Sequence, residues 1–186
     1  VSGDAKAWAI NADNGRISWK VDGVGNETNL ISSNSPAISG KYALFGFGNS
    51  EIYATFKKGG YVLWSSSLSG RGDSRVISSI DDIVASPVIV GRNAYAADGS
   101  GKVVSLKIEN GERKWTAPFG SSGNFWIAGE SLFFISDKND LVRLEMKTGK
   151  TVWLTELPSF SKNRILRSKK TNQHYGPIIA GNQLII

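Results

Sequence analysis

Four tryptophans each stand four residues after a glycine: Gly15 and Trp19, Gly60 and Trp64, Gly111 and Trp115, Gly149 and Trp153. Three of them also stand 28 residues after the residue that opens a short apolar run, from Pro36 to Trp64, Pro87 to Trp115 and Phe125 to Trp153. The tryptophans themselves are 45, 51 and 38 residues apart, so length changes fall between these units and never inside them. A chain that holds one internal spacing while its connections vary is repeating a single rigid supersecondary unit.

The content of the unit is β. Val104, Leu106 and Ile108 alternate with Ser105, Lys107 and Glu109, a period of two that reads as a half-buried strand. Asn110-Gly111 then offers the positive φ angles of a tight hairpin, with Trp115 on the return strand. Leu141–Trp153, Trp8–Trp19 and Ile52–Trp64 repeat the pattern. In the third of these, Ile52, Ala54 and Phe56 are one residue out of phase with Gly60, and Gly59-Gly60 follows Lys57-Lys58. A one-residue bulge in that turn accounts for the shift.

Upstream of the hairpins, Pro36–Gly40, Pro87–Gly91, Phe125–Gly129 and Pro177–Gly181 are short apolar runs that end at a turn glycine. Each complete copy continues into a second apolar strand: Tyr42–Phe47, Asn93–Ala97 and Ser131–Ser136. Four short strands recurring every 40–50 residues or so are a β-propeller blade. The expected fold class is therefore all-β, with four-stranded antiparallel blades in a partial ring. Residues 1–21 end one blade, 35–68, 86–119 and 124–157 are complete blades, and 176–186 begin another. The tryptophans are expected where neighbouring blades meet, since a blade cannot cover its own faces. No stretch has helical periodicity.

Composition narrows function by exclusion. The chain has no cysteine, which removes disulfides, thiolate metal sites and cysteine nucleophiles. A net charge of +6 permits an acidic partner without demanding one. No run reaches the roughly 18 apolar residues of a membrane helix. Both ends fall in mid-strand, so the expectation is a piece of a longer chain, with any targeting segment outside it.

Candidate reactive groups are few. His174 is the sole histidine and lies in a basic stretch with no acid nearby in sequence, so it reads as a solvated loop residue and not as a general base. Asp98-Gly99-Ser100-Gly101 and Asp137-Lys138-Asn139-Asp140 fall where turns are required and lack the spacing of a calcium loop. Gly46-Phe47-Gly48 has no helix after it to form a nucleotide site. Lys162, Arg164, Arg167, Lys169 and Lys170 form a basic cluster that could meet phospholipid headgroups. It lacks the interleaved aromatics of a nucleic-acid surface and reads as a solvated loop. Arg71-Gly72-Asp73 is a chance tripeptide. Asp81-Asp82 would point to opposite faces of a strand and reads as a surface loop.

The repeat A-x-N/D-x-x-x-G-x-x-x-W, complete in Ala9–Trp19, resembles the PQQ-type propeller repeat. That repeat is named for quinone-dependent dehydrogenases and is used by many proteins that hold no cofactor. Residues Ile80–Pro87, Val88–Trp115 and Asn124–Trp153 make the chain similar to the BamB family of outer-membrane assembly lipoproteins. The resemblance implies an eight-bladed ring, of which this chain would be about half, at the periplasmic face of the outer membrane. It also implies a scaffold without catalysis or cofactor, docked on a BamA-type subunit, with unfolded outer-membrane clients as a second class of partner. Any lipid anchor would lie outside this chain.

In that family two loops, each before a Ser-Pro strand, are implicated in docking. One carries a leucine and an arginine, the other a pair of acids. Leu30 matches the leucine, and Ile31 stands at the arginine position. Asp82 matches the first acid, Val84 stands at the second, and Asp81 is placed to compensate. The implied partner-binding residues are therefore Leu30, Ile31, Asp81 and Asp82. Two alternatives stay open: part of a quinoprotein oxidoreductase, whose calcium ligands and paired cysteines would lie elsewhere, and a free-standing four-bladed ring. In the latter, 176–186 would complete the blade begun by 1–21.

Overall fold

The computed structural model describes residues 5–23, 34–47, 50–68, 85–98, 101–121, 123–158 and 174–186. Among them are sixteen strands and no helix. β1 (Lys6–Ile10) and β2 (Ile17–Asp22) form a two-stranded sheet. β3 (Ala37–Ser39), β4 (Tyr42–Phe47), β5 (Glu51–Phe56) and β6 (Val62–Ser67) form a four-stranded meander. A second meander holds β7 (Val88–Val90), β8 (Asn93–Ala97), β9 (Val103–Lys107) and β10 (Arg113–Ala117), and a third holds β11 (Trp126–Ala128), β12 (Ser131–Ile135), β13 (Asp140–Glu145) and β14 (Thr151–Glu156). β15 (Ile178–Ala180) and β16 (Gln183–Ile185) close the list as a hairpin. All pairings are antiparallel, as a propeller blade requires.

Two turn types recur along the chain. First and second strands join through two residues, with a glycine leading at φ +55 to +61 (Gly40, Gly91, Gly129, Gly181). That is the positive-φ first position of a type II′ turn. Third and fourth strands join through a four-residue loop whose last residue is the motif glycine. Gly111 N donates to Lys107 O at 2.8 Å and Lys107 N to Glu112 O at 2.8 Å, and the same two bonds recur around Gly15, Gly60 and Gly149. The Asn110-Gly111 turn is thus not the two-residue hairpin expected. Gly111 is at φ +72 while Asn110 is not at positive φ, and Ile108 lies in the turn and not in the strand.

The half-buried strand expected at Val104–Glu109 is corrected as well. Val103, Val104, Ser105 and Leu106 are all buried, because blades stand on both sides. Alternate residues serve alternate cores. Tyr95, Ala97 and Val103 pack with Phe134, Val142 and Leu144 of the next blade. Ala94, Ala96, Val104 and Leu106 pack with Leu44, Ile52 and Ala54 of the previous one. Further cores join Ala7 and Val21 to Phe45 and Phe47, and Ile135 and Leu157 to Leu184. Each core lies between blades and none within a single sheet, so a blade's burial comes from its neighbours.

Burial on both faces also explains the phase shift at Ile52, Ala54 and Phe56, because either phase finds cover. The register irregularity at Ala54/Thr55 is not special to that blade. It recurs at Ala9/Ile10, Arg113/Trp115 and Arg143/Leu144. The fourth strands are mostly exposed, whereas the first strands of adjacent blades approach each other, β3 to β7 and β11 to β15. First strands are therefore innermost and fourth strands outermost. β1–β2 and β15–β16 are separate sheets. The free-standing four-bladed ring, which needs them in one blade, is not what the chain adopts.

A candidate docking rim

Strand direction sorts the connections to two rims. In an up-and-down meander, the turns joining strands one to two and three to four lie at one end. Turns joining two to three lie at the other, with the connections between blades. The second rim therefore gathers Ser50, Asp98, Ser136–Asp140 and the ends of the connections at Asn34, Ala85, Asn124 and His174.

Two of those connections are tied together where they end. The backbone N–H of Ser35 donates to the Ser86 hydroxyl at 3.1 Å, across 51 residues of sequence. Ser35-Pro36 leads into β3 and Ser86-Pro87 into β7, the two innermost strands that approach each other. Proline has no N–H to pair, so the bond from the preceding residue fastens one blade to the next. Leu30, Ile31, Asp81 and Asp82 lie outside the described residues, as do Arg71-Gly72-Asp73 and the basic cluster Lys162–Lys170. What the described residues establish is that the segments carrying the two implied docking pairs end side by side.

The rest of the rim is built of turns that consume their own polar groups. Asp98 is fully buried and accepts the Lys102 amide at 2.8 Å. The Ser136 hydroxyl accepts the amides of Lys138 and Asp140 at 3.2 and 3.1 Å. Asn139, at φ +65, donates from Nδ2 to Leu157 O at 3.2 Å. Its Oδ1 then faces His174 Nδ1 at 2.8 Å, and since that oxygen only accepts, Nδ1 carries the proton. His174 is thus not the solvated loop residue expected: it is half-buried and bonded to the turn of the preceding blade. Among the described residues no cluster of three or more His, Asp or Glu could hold a metal ion.

The opposite rim is charged. A shallow groove of about 510 Å³ is lined by Arg92, Asn93, Lys107, Glu109 and Lys114. Its charges pair with one another, Arg92 with Glu109 at 2.9 Å and Lys107 with Glu112 at 2.6 Å. The Lys107 ammonium holds the Glu112 carboxyl below the usual carboxylate range, and Glu109 raises the Arg92 guanidinium. These are solvated pairs that contribute little, with no nucleophile beside a base.

Both rims are held in place by one recurrent seam. Trp19 Nε1 donates to Lys57 O at 3.1 Å, Trp64 Nε1 to Ile108 O at 2.8 Å, and Trp115 Nε1 to Met146 O at 3.0 Å. The acceptor is each time the carbonyl three residues before the next blade's motif glycine. The same indoles lie over those glycines: a Cβ on Gly60, Gly111 or Gly149 would come within 2.5–2.6 Å of a ring carbon. The glycine in the motif thus serves twice, at positive φ and as the floor on which the previous blade's tryptophan lies.

A family model described as outer membrane protein assembly factor BamB matches residues 1–155. Curated relatives carrying that description include those of Shewanella oneidensis, 25% identical over 90% of this chain and 42% of the relative, and of Moranella endobia, 24% identical over 78% and 37%. The chain spans about two-fifths of the length of the curated relatives it matches. Among solved structures, BamB from Moraxella catarrhalis superposes with a TM-score of 0.72 at 19% identity, over 84% of this chain and 50% of that one. A europium-containing methanol dehydrogenase superposes with a TM-score of 0.68 at 12% identity, over 81% and 38%. Likeness at these identities is a likeness of fold.

Proposed function

The chain belongs to the BamB family of outer membrane assembly factors, and on that premise we propose that it is a protein-docking scaffold without catalysis or cofactor. Its partner is a BamA-type barrel-inserting subunit at the periplasmic face of the outer membrane, and its task is to assist assembly of β-barrel proteins. The observation that carries this reading is the bond from Ser35 to Ser86. It joins the ends of the two connections that hold Leu30, Ile31, Asp81 and Asp82, so a partner can engage both together. Loops on a rigid scaffold are where such recognition is placed, and the Trp–Gly seams supply the rigidity. Unfolded clients are a second class of ligand for this scaffold, through strand addition at outer edges such as β14, where Val152 and Leu154 are about half exposed.

The test is a titration of the full-length protein against the periplasmic domains of a BamA-type subunit. Micromolar or tighter binding, weakened at least tenfold by Asp82→Lys, is the expected result. Binding that ignores charge reversal at Asp82 moves the docking face elsewhere, and absence of binding removes the function.

A further inference from the structure

We propose that one corner of the charged rim, built by the turns of the β3–β6 blade, holds the protein against a membrane surface of anionic phospholipid. The backbone defines the corner. In each complete blade the amide three residues before the motif glycine donates to the turn between first and second strands: Lys57 N to Lys41 O at 2.8 Å, Ile108 N to Arg92 O at 3.0 Å and Met146 N to Glu130 O at 2.9 Å. The two turns meet, and their side chains share one patch. In the β7–β10 blade that patch is neutralised by its own pairs, Arg92 with Glu109 and Lys107 with Glu112. In the β11–β14 blade it mixes Glu130 and Glu145 with Lys147 and Lys150. In the β3–β6 blade, residues 40–42 and 56–62 hold Lys41, Lys57 and Lys58 and no acid. Among the described residues none of these three lysines is in an ion pair.

Polarity in this corner is inverted against the other blades. Lys57 occupies the position of Ile108 and Met146, which are buried in the cores between blades. A lysine at such a seam lays its stem along the apolar surface and carries its ammonium out to the rim. Phe56 occupies the position of Lys107 and Glu145, and it lines a shallow cleft of about 400 Å³ with Lys41, Lys57 and Lys58. The Lys41 ammonium lies 5.6 Å from the Phe56 ring and 5.3 Å from that of Tyr42. Gly59, at φ +94, leaves room for the Tyr61 ring, which a Cβ there would meet at 2.8 Å. Tyr61 is 73% exposed and Val62 beside it 50%. Neither turn nor seam requires these choices, since the other blades close with the opposite ones. Lysine ammoniums are compact point charges that suit phosphate, whereas carboxylates favour the arginine fork, which this corner lacks. An exposed tyrosine with an apolar neighbour among lysines is a composition that settles at the level of lipid headgroups. This rim lies away from the Ser35–Ser86 tie, so membrane contact leaves the docking rim open. The inference rests on the membrane location proposed above and not on the docking residues.

The test is sedimentation of the full-length protein, produced without lipid modification, with vesicles of phosphatidylcholine alone or mixed with phosphatidylglycerol. Binding to the anionic vesicles only, declining as salt rises, is expected. Lys41→Gln and Lys58→Gln should each weaken it about fivefold, and Tyr61→Ser should weaken it as well. Lys147→Gln removes the same charge from the equivalent exposed position of the β11–β14 blade and should weaken it less than about twofold. Each variant should still bind the BamA-type domains, which shows that the corner and not the fold was lost. Docking without vesicle binding by the unmodified protein would overturn this proposal and leave the scaffold reading standing. Equal losses for Lys147→Gln and Lys58→Gln, equal binding to phosphatidylcholine, or displacement by inorganic phosphate at constant ionic strength would also overturn it, as would capture of polyglutamate in place of vesicles.

Discussion

The indole of Trp115 lies against the backbone of Gly149 so closely that a methyl group on that glycine would sit 2.5 Å from the ring, while its N–H reaches Met146 O at 3.0 Å. One side chain thereby closes a packing contact and satisfies a carbonyl of the next blade. Both depend on there being no Cβ.

Gly149→Ala should therefore cost more than its backbone conformation alone explains. Gly15, in the same kind of turn with the same two backbone bonds, is also at positive φ, +68 against +72, with nothing within 4 Å of its Cβ position. Gly15→Ala should cost about 1 kcal/mol, and Gly149→Ala about 3 kcal/mol with the clash added. In a Trp115→Ala background the Gly149→Ala cost should fall toward that of Gly15→Ala. Denaturant titration of the four chains forms the cycle, and equal costs in both backgrounds would refute the seam.

Tyr95 joins the same seam from the same blade as Trp115. Its ring lies 5.8 Å from Trp115, and its buried hydroxyl donates to Met146 O at 3.3 Å. Burial pushes the phenol above its ordinary value of 10.0. A raised folded-state value means stability is complete below pH 10 and drains as pH rises through the folded value. Tyr95→Phe should flatten that alkaline loss while costing about 1 kcal/mol at neutral pH from the lost hydrogen bond. Parallel denaturant titrations at neutral and alkaline pH check both.

Ser86→Ala removes the acceptor of the Ser35 amide and leaves the seams untouched. It should lower stability by about 1 kcal/mol yet weaken partner binding as well, because it uncouples the ends of the two docking segments. A stability loss with unchanged affinity would separate the tie from docking.

The repeat was legible because its signals are local: a glycine four residues before a tryptophan, and a turn glycine after an apolar run. What the tryptophan meets was not. Lys57, Ile108 and Met146 accept its N–H through their backbone carbonyls, which leave no mark on residue identity. The pattern of Val104, Leu106 and Ile108 suggested one wet face because Ser105 and Lys107 are polar, yet Ser105 is fully buried. Sheets stacked on both sides override alternation. Ser35 and Ser86 could have been paired from the recurrence of Ser-Pro before an apolar strand, although only the approach of β3 to β7 gives that recurrence a contact. His174 gave no signal toward Asn139, 35 residues away.

The most direct measurement is a double-mutant cycle on partner binding, with Leu30→Ala and Asp82→Ala made singly and together in the full-length protein. If the two connections form one docking surface, the losses are non-additive, with a coupling of about 1 kcal/mol or more. Losses that add to within about 0.5 kcal/mol would mean two independent contacts and contradict the composite rim.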